Sequence, residues 1–257
     1  MKKFWGFLLV IVLMTSCGEY QSLLKSNDYN LVYKKAIEYY NKGDYQRAMN
    51  LLDGVRSVFV GQAKAQNIAY YRAFCSYNMK DYQIASDLFK QFIQTYPESS
   101  FAEECLYMMG FCDYKASPKP RLDQQVTEKA IREFQLYLSR YPYSMRKDKV
   151  NTYMDEMRDK LSYKAYLSAK NYYLREHYKA AVISLQNCLK DYPGSKYREE
   201  IMYMLFVSKY QMAVNSVEDK KVERYNNARE EYYYFADEYP NSRYAADVKK
   251  MYELSLI

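Results

Sequence analysis

The chain has 257 residues, a formal net charge of +7, 33 tyrosines, and only 7 glycines and 6 prolines. A basic excess this mild, spread along the chain, points neither to nucleic acid nor to a channel for acidic substrates. Scarce glycine and proline argue against an all-β chain full of tight turns, and the length suits one or two globular domains or one elongated array.

Lys2 and Lys3 precede an apolar run from Phe4 to Met14. A membrane-spanning helix needs about 20 largely apolar residues, and this run has roughly half of that. A basic start, a short apolar segment and the small residues Thr15 and Ser16 fit a signal peptide over residues 1–16, cut before Cys17. Met14-Thr15-Ser16-Cys17 resembles the lipobox of bacterial lipoproteins, with Met14 where that family usually has Leu, Val or Ile. The resemblance implies lipidation of Cys17, with residues 17–29 as the tether. Each buried acyl CH₂ adds about 0.8 kcal/mol of membrane affinity, so several chains anchor where one would not.

From residue 30 a frame repeats. The segment "KGDYQRAMNLLDGV" sets Ala48, Leu52 and Val55 on one helical face. Four later copies close on a Tyr-Pro pair: Tyr96-Pro97, Tyr141-Pro142, Tyr192-Pro193 and Tyr239-Pro240. Each has an alanine twelve residues before the proline, namely Ala85, Ala130, Ala181 and Ala228. Bulky residues follow four later (Phe89, Phe134, Leu185, Tyr232), and then Phe92, Tyr137, Cys188 and Phe235 three further on. The alanine lets two helices approach, and the proline stops the second one. The serine two after each proline (Ser99, Ser144, Ser195, Ser242) is expected to N-cap the next helix, with Glu103, Glu104, Glu199 and Glu200 in first turns. Ala36, Ala73, Gly110 and Ala169 are the small residues of the first helices.

Recurrence at this spacing predicts an all-α stack of about five helix pairs, an α-solenoid over 30–257 with repeats at 30–66, 67–99, 100–144, 145–195 and 196–257. A Pro-rich insertion, 115–128, divides the helices of the third repeat. The first helix of the fourth extends to about 25–30 residues. "NSVEDKKVERYNN" reads as a charged linker within the fifth.

Cys75, Cys105, Cys112 and Cys188 remain after the signal. Cys105 and Cys112 lie about 10 Å apart along one helix, too far for a bridge. With the single histidine, His177, in a turn, no zinc site is expected, and the thiols read as small core residues. The carboxylates are spread along helices in the manner of solvated faces. No nucleophile has a base, no Gly-rich phosphate loop exists, and neither catalysis, a metal nor a cofactor is expected.

The alanine–aromatic–proline frame resembles the second helix of tetratricopeptide repeats. Together with the lipobox, "SPKPRLDQQVTEKAIREFQLYLSRYP" and "LREHYKAAVISLQNCLKDYPGSKYREE", it resembles the BamD family, repeat lipoproteins of the outer-membrane β-barrel assembly machinery. The resemblance implies a lipid-anchored, periplasm-facing outer-membrane subunit without enzymatic activity. Its implied partners are BamA through a POTRA domain, other Bam subunits and unfolded outer-membrane proteins; Gly18 after the cysteine fits outer-membrane sorting. In such repeats the first helices line a concave groove, which here gives Tyr33, Tyr40, Tyr70, Phe74, Tyr77, Tyr107, Phe111 and Tyr114 as a candidate peptide groove. An aromatic stripe at helical spacing is equally consistent with packing between repeats. A tyrosine ring can pack while its hydroxyl stays wet, which suits the aromatic β-signal of barrel proteins. Arg198 and Lys221, in the more charged C-terminal repeats, are candidates for a partner interface. The alternative from the same architecture is a scaffold lipoprotein organising cell-envelope or division factors.

Overall fold

The computed structural model describes residues 18–256, so the signal segment and the lipidation position Cys17 lie outside the described residues. The described residues form helices, turns and loops, with no strand among them. They divide into two compact units, residues 18–118 with 124–154, and residues 119–123 with 155–256.

The first unit starts with α1 (18–24) and continues with the pairs α2 (Tyr29–Asn41) and α3 (Tyr45–Val55), and α4 (Ala63–Asn78) and α5 (Tyr82–Thr95). Helices α6 (Ala102–Ala116) and α7 (Gln125–Arg140) and the first turns of α8 (Lys147–Leu174) complete it. Each helix from α2 to α7 packs on its neighbours in the chain. The α8 helix has 28 residues, within the expected span. The connection between α6 and α7 occupies only 117–124, because both helices run further into the proline-rich stretch than the composition suggests.

The small residues are where the pairs close. Ala36, Ala48, Ala73, Ala85 and Ala130 have no exposed surface, and Phe89, Phe92, Phe134 and Tyr137 are buried as well. At Gly110 an added Cβ would lie 2.9 Å from Cδ1 of Phe134, so this helix crossing has room for a hydrogen only.

The turn from α2 to α3 places Gly43 at φ +82°. Its N–H bonds to the carbonyl of Tyr40, and the N–H of Asp44 reaches back to that of Tyr39, which closes the helix end. Lys80, and in the second unit Glu176, occupy the same position at φ +69° and +60° with the same bonds and no glycine. A side chain there is strained, by about 1 kcal/mol. Lys80→Gly is therefore expected to raise unfolding free energy by up to about 1 kcal/mol, read from the denaturation midpoint, where Gly43→Ala should lower it.

The Tyr-Pro closures end α5 and α7 as expected, the N–H of Tyr96 and Tyr141 still bonding to Phe92 and Tyr137 at 2.8 Å. The serines do not N-cap the helices that follow. Ser99 Oγ accepts from the N–H of Phe101, and Ser144 Oγ from that of Arg146, each at 3.2 Å. A hydrogen-bonded turn between serine and helix, Ala102 N–H to Ser99 O at 2.9 Å, takes up the first donors. Phe101 thus stands at the cap of α6 and the serine two residues outside it. Glu103 and Glu104 are in the first turn of α6.

The carboxylates are not all solvated. Asp113 on α6 and Glu133 on α7 are buried beside Lys129, whose Nζ lies 2.8 Å from Asp113 Oδ2. Ser86 Oγ on α5 donates to the same oxygen at 2.9 Å. Glu133 is lifted to about 8, first by burial and then by its hydrogen bond with Asp113. Its Oε2 has no hydrogen-bond partner, which costs less for a protonated carboxyl than for a carboxylate. The thiols are buried as expected: the four cysteines among the described residues are free and buried, and desolvation raises Cys75 and Cys105 to about 12. They are unreactive core residues.

The second unit comprises residues 155–174 of α8, then α9 (Tyr178–Asp191), α10 (Arg198–Val214), α11 (Glu218–Glu238) and α12 (Ala245–Leu254). Ala169, Ala181 and Leu185 are fully buried and Ala228 nearly so, whereas Tyr232 is half-exposed and stacks on Tyr252 of α12 at 4.1 Å. The segment 119–123 belongs to this unit, with Lys164 Nζ donating to the carbonyl of Leu122 at 2.9 Å. The charged stretch after α10 is the start of α11, not a linker: its Glu218 and Asp219 sit in the first turn. His177 stands exposed at the start of α9.

Candidate peptide groove

The first helices of the first unit carry a continuous series of rings. Tyr70 lies 4.5 Å from Phe74 and 4.6 Å from Phe101. Phe74 leads to Tyr77 at 6.4 Å, and Tyr77 across to Phe111 on α6 at 6.2 Å. Phe111 stacks between Tyr107 at 5.6 Å and Tyr114 at 5.9 Å. Tyr153, in the first turns of α8, covers Tyr114 at 4.5 Å. Positions three and four apart on α4 and α6 put these rings on one face of each helix, and neighbouring helices extend the row.

Tyr40 joins the row through Tyr71, at 4.9 Å, and that residue through Tyr70 at 5.6 Å. Tyr33 is not in these contacts. It packs edge-on against Phe59 at 6.1 Å beneath the Lys64 ammonium. Tyr107 is buried and supports the row from below against Tyr137, at 5.8 Å. The other candidates are half-buried, each with part of its ring surface open.

A polar edge borders the rings. The Tyr70 hydroxyl donates to Glu104 Oε2 at 3.0 Å, and Arg146 approaches Glu104 Oε1 at 3.4 Å while lying 4.7 Å above the Tyr107 ring. Burial and then the Glu104 carboxylate push Tyr70 well above the usual phenol range. Tyr40 is raised to about 12, again chiefly by burial. These phenols stay neutral and can donate hydrogen bonds throughout the physiological range. Such a surface offers stacking and hydrogen bonds to an extended chain; it contains no nucleophile–base pair. Among the described residues no cluster of three or more histidines, cysteines or carboxylates could hold a metal.

Sequence spacing missed Tyr153, Tyr71, Phe101 and Arg146. Tyr153 had a signal: Val150, Tyr153, Met154 and Met157 form an i, i+3, i+4, i+7 stripe, and Val150, Met154 and Met157 are buried. That stripe belongs to the first turns of α8, far from Ala169, the residue the repeat is counted from.

The two charged candidates are not brought together. Arg198, at the start of α10, forks onto Glu238 near the end of α11 at 2.6 and 2.9 Å. Lys221 pairs with Glu218 one turn earlier on α11 at 2.6 Å. They stand at opposite ends of the antiparallel α10–α11 pair, each with a carboxylate of its own.

Helix pairs closed by small residues, with an aromatic row on the first helices, define an all-α repeat scaffold. The chain belongs to the YfiO family of outer membrane lipoproteins, which matches it over residues 25–200 and 165–255. A search of curated proteins finds no match. Among solved structures, the chain is similar to a TPR repeats protein from Bacteroides fragilis at 12% identity, TM-score 0.42, covering 90% of this chain and 98% of that one. The complex of the TPR2AB domain of yeast Sti1 with pHSP90 gives 11%, 0.40, 89% and 98%. The human IFIT1 dimer with PPP-AAAA gives 17%, 0.31, 94% and 61%.

Proposed function

We propose that the chain is a non-enzymatic, lipid-anchored subunit of the outer-membrane β-barrel assembly complex. It binds BamA through a POTRA domain, sits among other Bam subunits, and receives unfolded outer-membrane proteins for folding and insertion. The observation that carries this reading is the ring row from Tyr70 to Tyr114 with its Glu104–Arg146 edge, on a chain of an outer membrane lipoprotein family. An unfolded barrel strand presents aromatic side chains and an open backbone, and half-buried tyrosines offer a partner to both.

In this reading the N-terminal repeats hold substrate, and the charged C-terminal repeats, with Arg198 and Lys221, hold BamA. Tyr70→Ala with Tyr77→Ala is expected to weaken binding of a peptide ending in the β-signal roughly tenfold or more, at about 0.5–1.5 kcal/mol per ring pair, and to leave BamA association intact. Fluorescence anisotropy with the labelled peptide, beside BamA pull-down, measures both. Loss of BamA binding with unchanged peptide affinity would reverse the assignment of the two ends.

A further inference from the structure

On the other side of α6 from the rings, α5 and α7 border a cleft of about 370 Å³. Its floor and wall are aliphatic: Leu106 and Met109 of α6, and Leu136 of α7, which is 53% exposed. Three cations, Lys90, Lys129 and Arg132, stand around it. The only carboxyl in the lining is Glu133, which is buried, engaged with Asp113 beneath the floor and 3.7 Å from the Lys129 ammonium, so it faces Lys129 rather than the rim. Lys129 is occupied by Asp113 at 2.8 Å, with Asp87 at 3.9 Å, whereas Lys90 and Arg132 are exposed at the rim.

An aliphatic trough lined by no ring, with the cations Lys90 and Arg132 at its rim and its one lining carboxyl buried against Lys129, suits an anionic amphiphile. The volume lies within the range of small-molecule sites. The aromatic row on the opposite side shows the contrast, with rings and hydroxyls where this cleft has branched and thioether side chains. We infer that the cleft between α5 and α7 binds an anionic lipid, its acyl chain on Leu106, Met109 and Leu136 and its headgroup phosphate between Lys90 and Arg132. Membership of an outer membrane lipoprotein family fits a lipid as the occupant. The inference does not depend on the peptide groove, and Tyr70→Ala with Tyr77→Ala should leave it untouched.

The test is native mass spectrometry of the full chain in dodecyl maltoside micelles, titrated with dodecyl phosphate, dodecyltrimethylammonium or inorganic phosphate. One dodecyl phosphate should bind per chain, at least roughly tenfold more tightly than either other probe. Lys90→Ala with Arg132→Ala should lower that affinity roughly tenfold or more, since each removes a charged contact to the phosphate. Both side chains are exposed, so the fold should survive, with circular dichroism as the check. Leu136→Asp should also weaken binding, through the acyl chain. Equal binding of the two amphiphiles, or binding unmoved by these variants, overturns the site. Inorganic phosphate binding as tightly as dodecyl phosphate overturns the lipid assignment, and so does displacement of dodecyl phosphate by an acidic helical peptide at equimolar concentration.

Discussion

Lys129→Met is expected to cost about 3–5 kcal/mol of unfolding free energy, because it strands the buried Asp113 carboxylate without its cation. The Ser86 hydroxyl, at 2.9 Å, and the protonated Glu133 carboxyl would remain as neutral donors from other helices. Lys129 is itself about a third exposed, which places the cost toward the lower end. Glu133→Gln should act in the opposite sense above neutral pH. The Glu133 carboxyl is raised from 4.5 to about 8, so between those values the folded chain holds a proton that the unfolded chain has released. Stability contributed by this group is thus full below about pH 4.5 and is lost as pH rises toward 8. The glutamine variant lacks that decline, and its gain over the parent at pH 8 should be on the order of a few kcal/mol and vanish near pH 4.5. Urea denaturation of both chains at the two pH values measures it; parallel pH profiles would contradict the proton-sharing pair.

Phe134→Ala is expected to cost about 3–5 kcal/mol, since the ring is fully buried against α6. Gly110→Ala alone should cost about 1–3 kcal/mol by forcing a methyl to within 2.9 Å of that ring. In the Phe134→Ala background the same glycine change should become favourable by up to about 1 kcal/mol, because the space is free and alanine is the better helix former. Additive costs in the double-mutant cycle would mean that Gly110 is not held open by Phe134.

The helix pairs were legible because their determinants are local: an alanine, two bulky residues one and two turns on, and a proline. Ala85, Ala130 and Ala181 needed no knowledge of the neighbouring helix. The Asp113–Lys129–Glu133 group was not legible, because each residue sits at a spacing that a solvated helix face would also show, and only the approach of α5, α6 and α7 buries them. Much of the ring row could be read from the first-helix spacing, from Tyr70 to Tyr114. Whether a tyrosine there is open or covered depends on the next helix, which is why Tyr107 is buried while Tyr77 is half open. Spacing alone sets the serines two residues too close to the helices, since a hydroxyl can satisfy an N–H either at a cap or in the turn before it.

Assembly-complex membership is decided by copurification of the tagged chain from detergent-solubilised outer membranes, with mass spectrometry of what is retained. BamA is expected in stoichiometric amount, retained by the Tyr70→Ala, Tyr77→Ala chain as well. Retention of division or peptidoglycan factors in place of BamA would contradict that membership and favour an envelope scaffold.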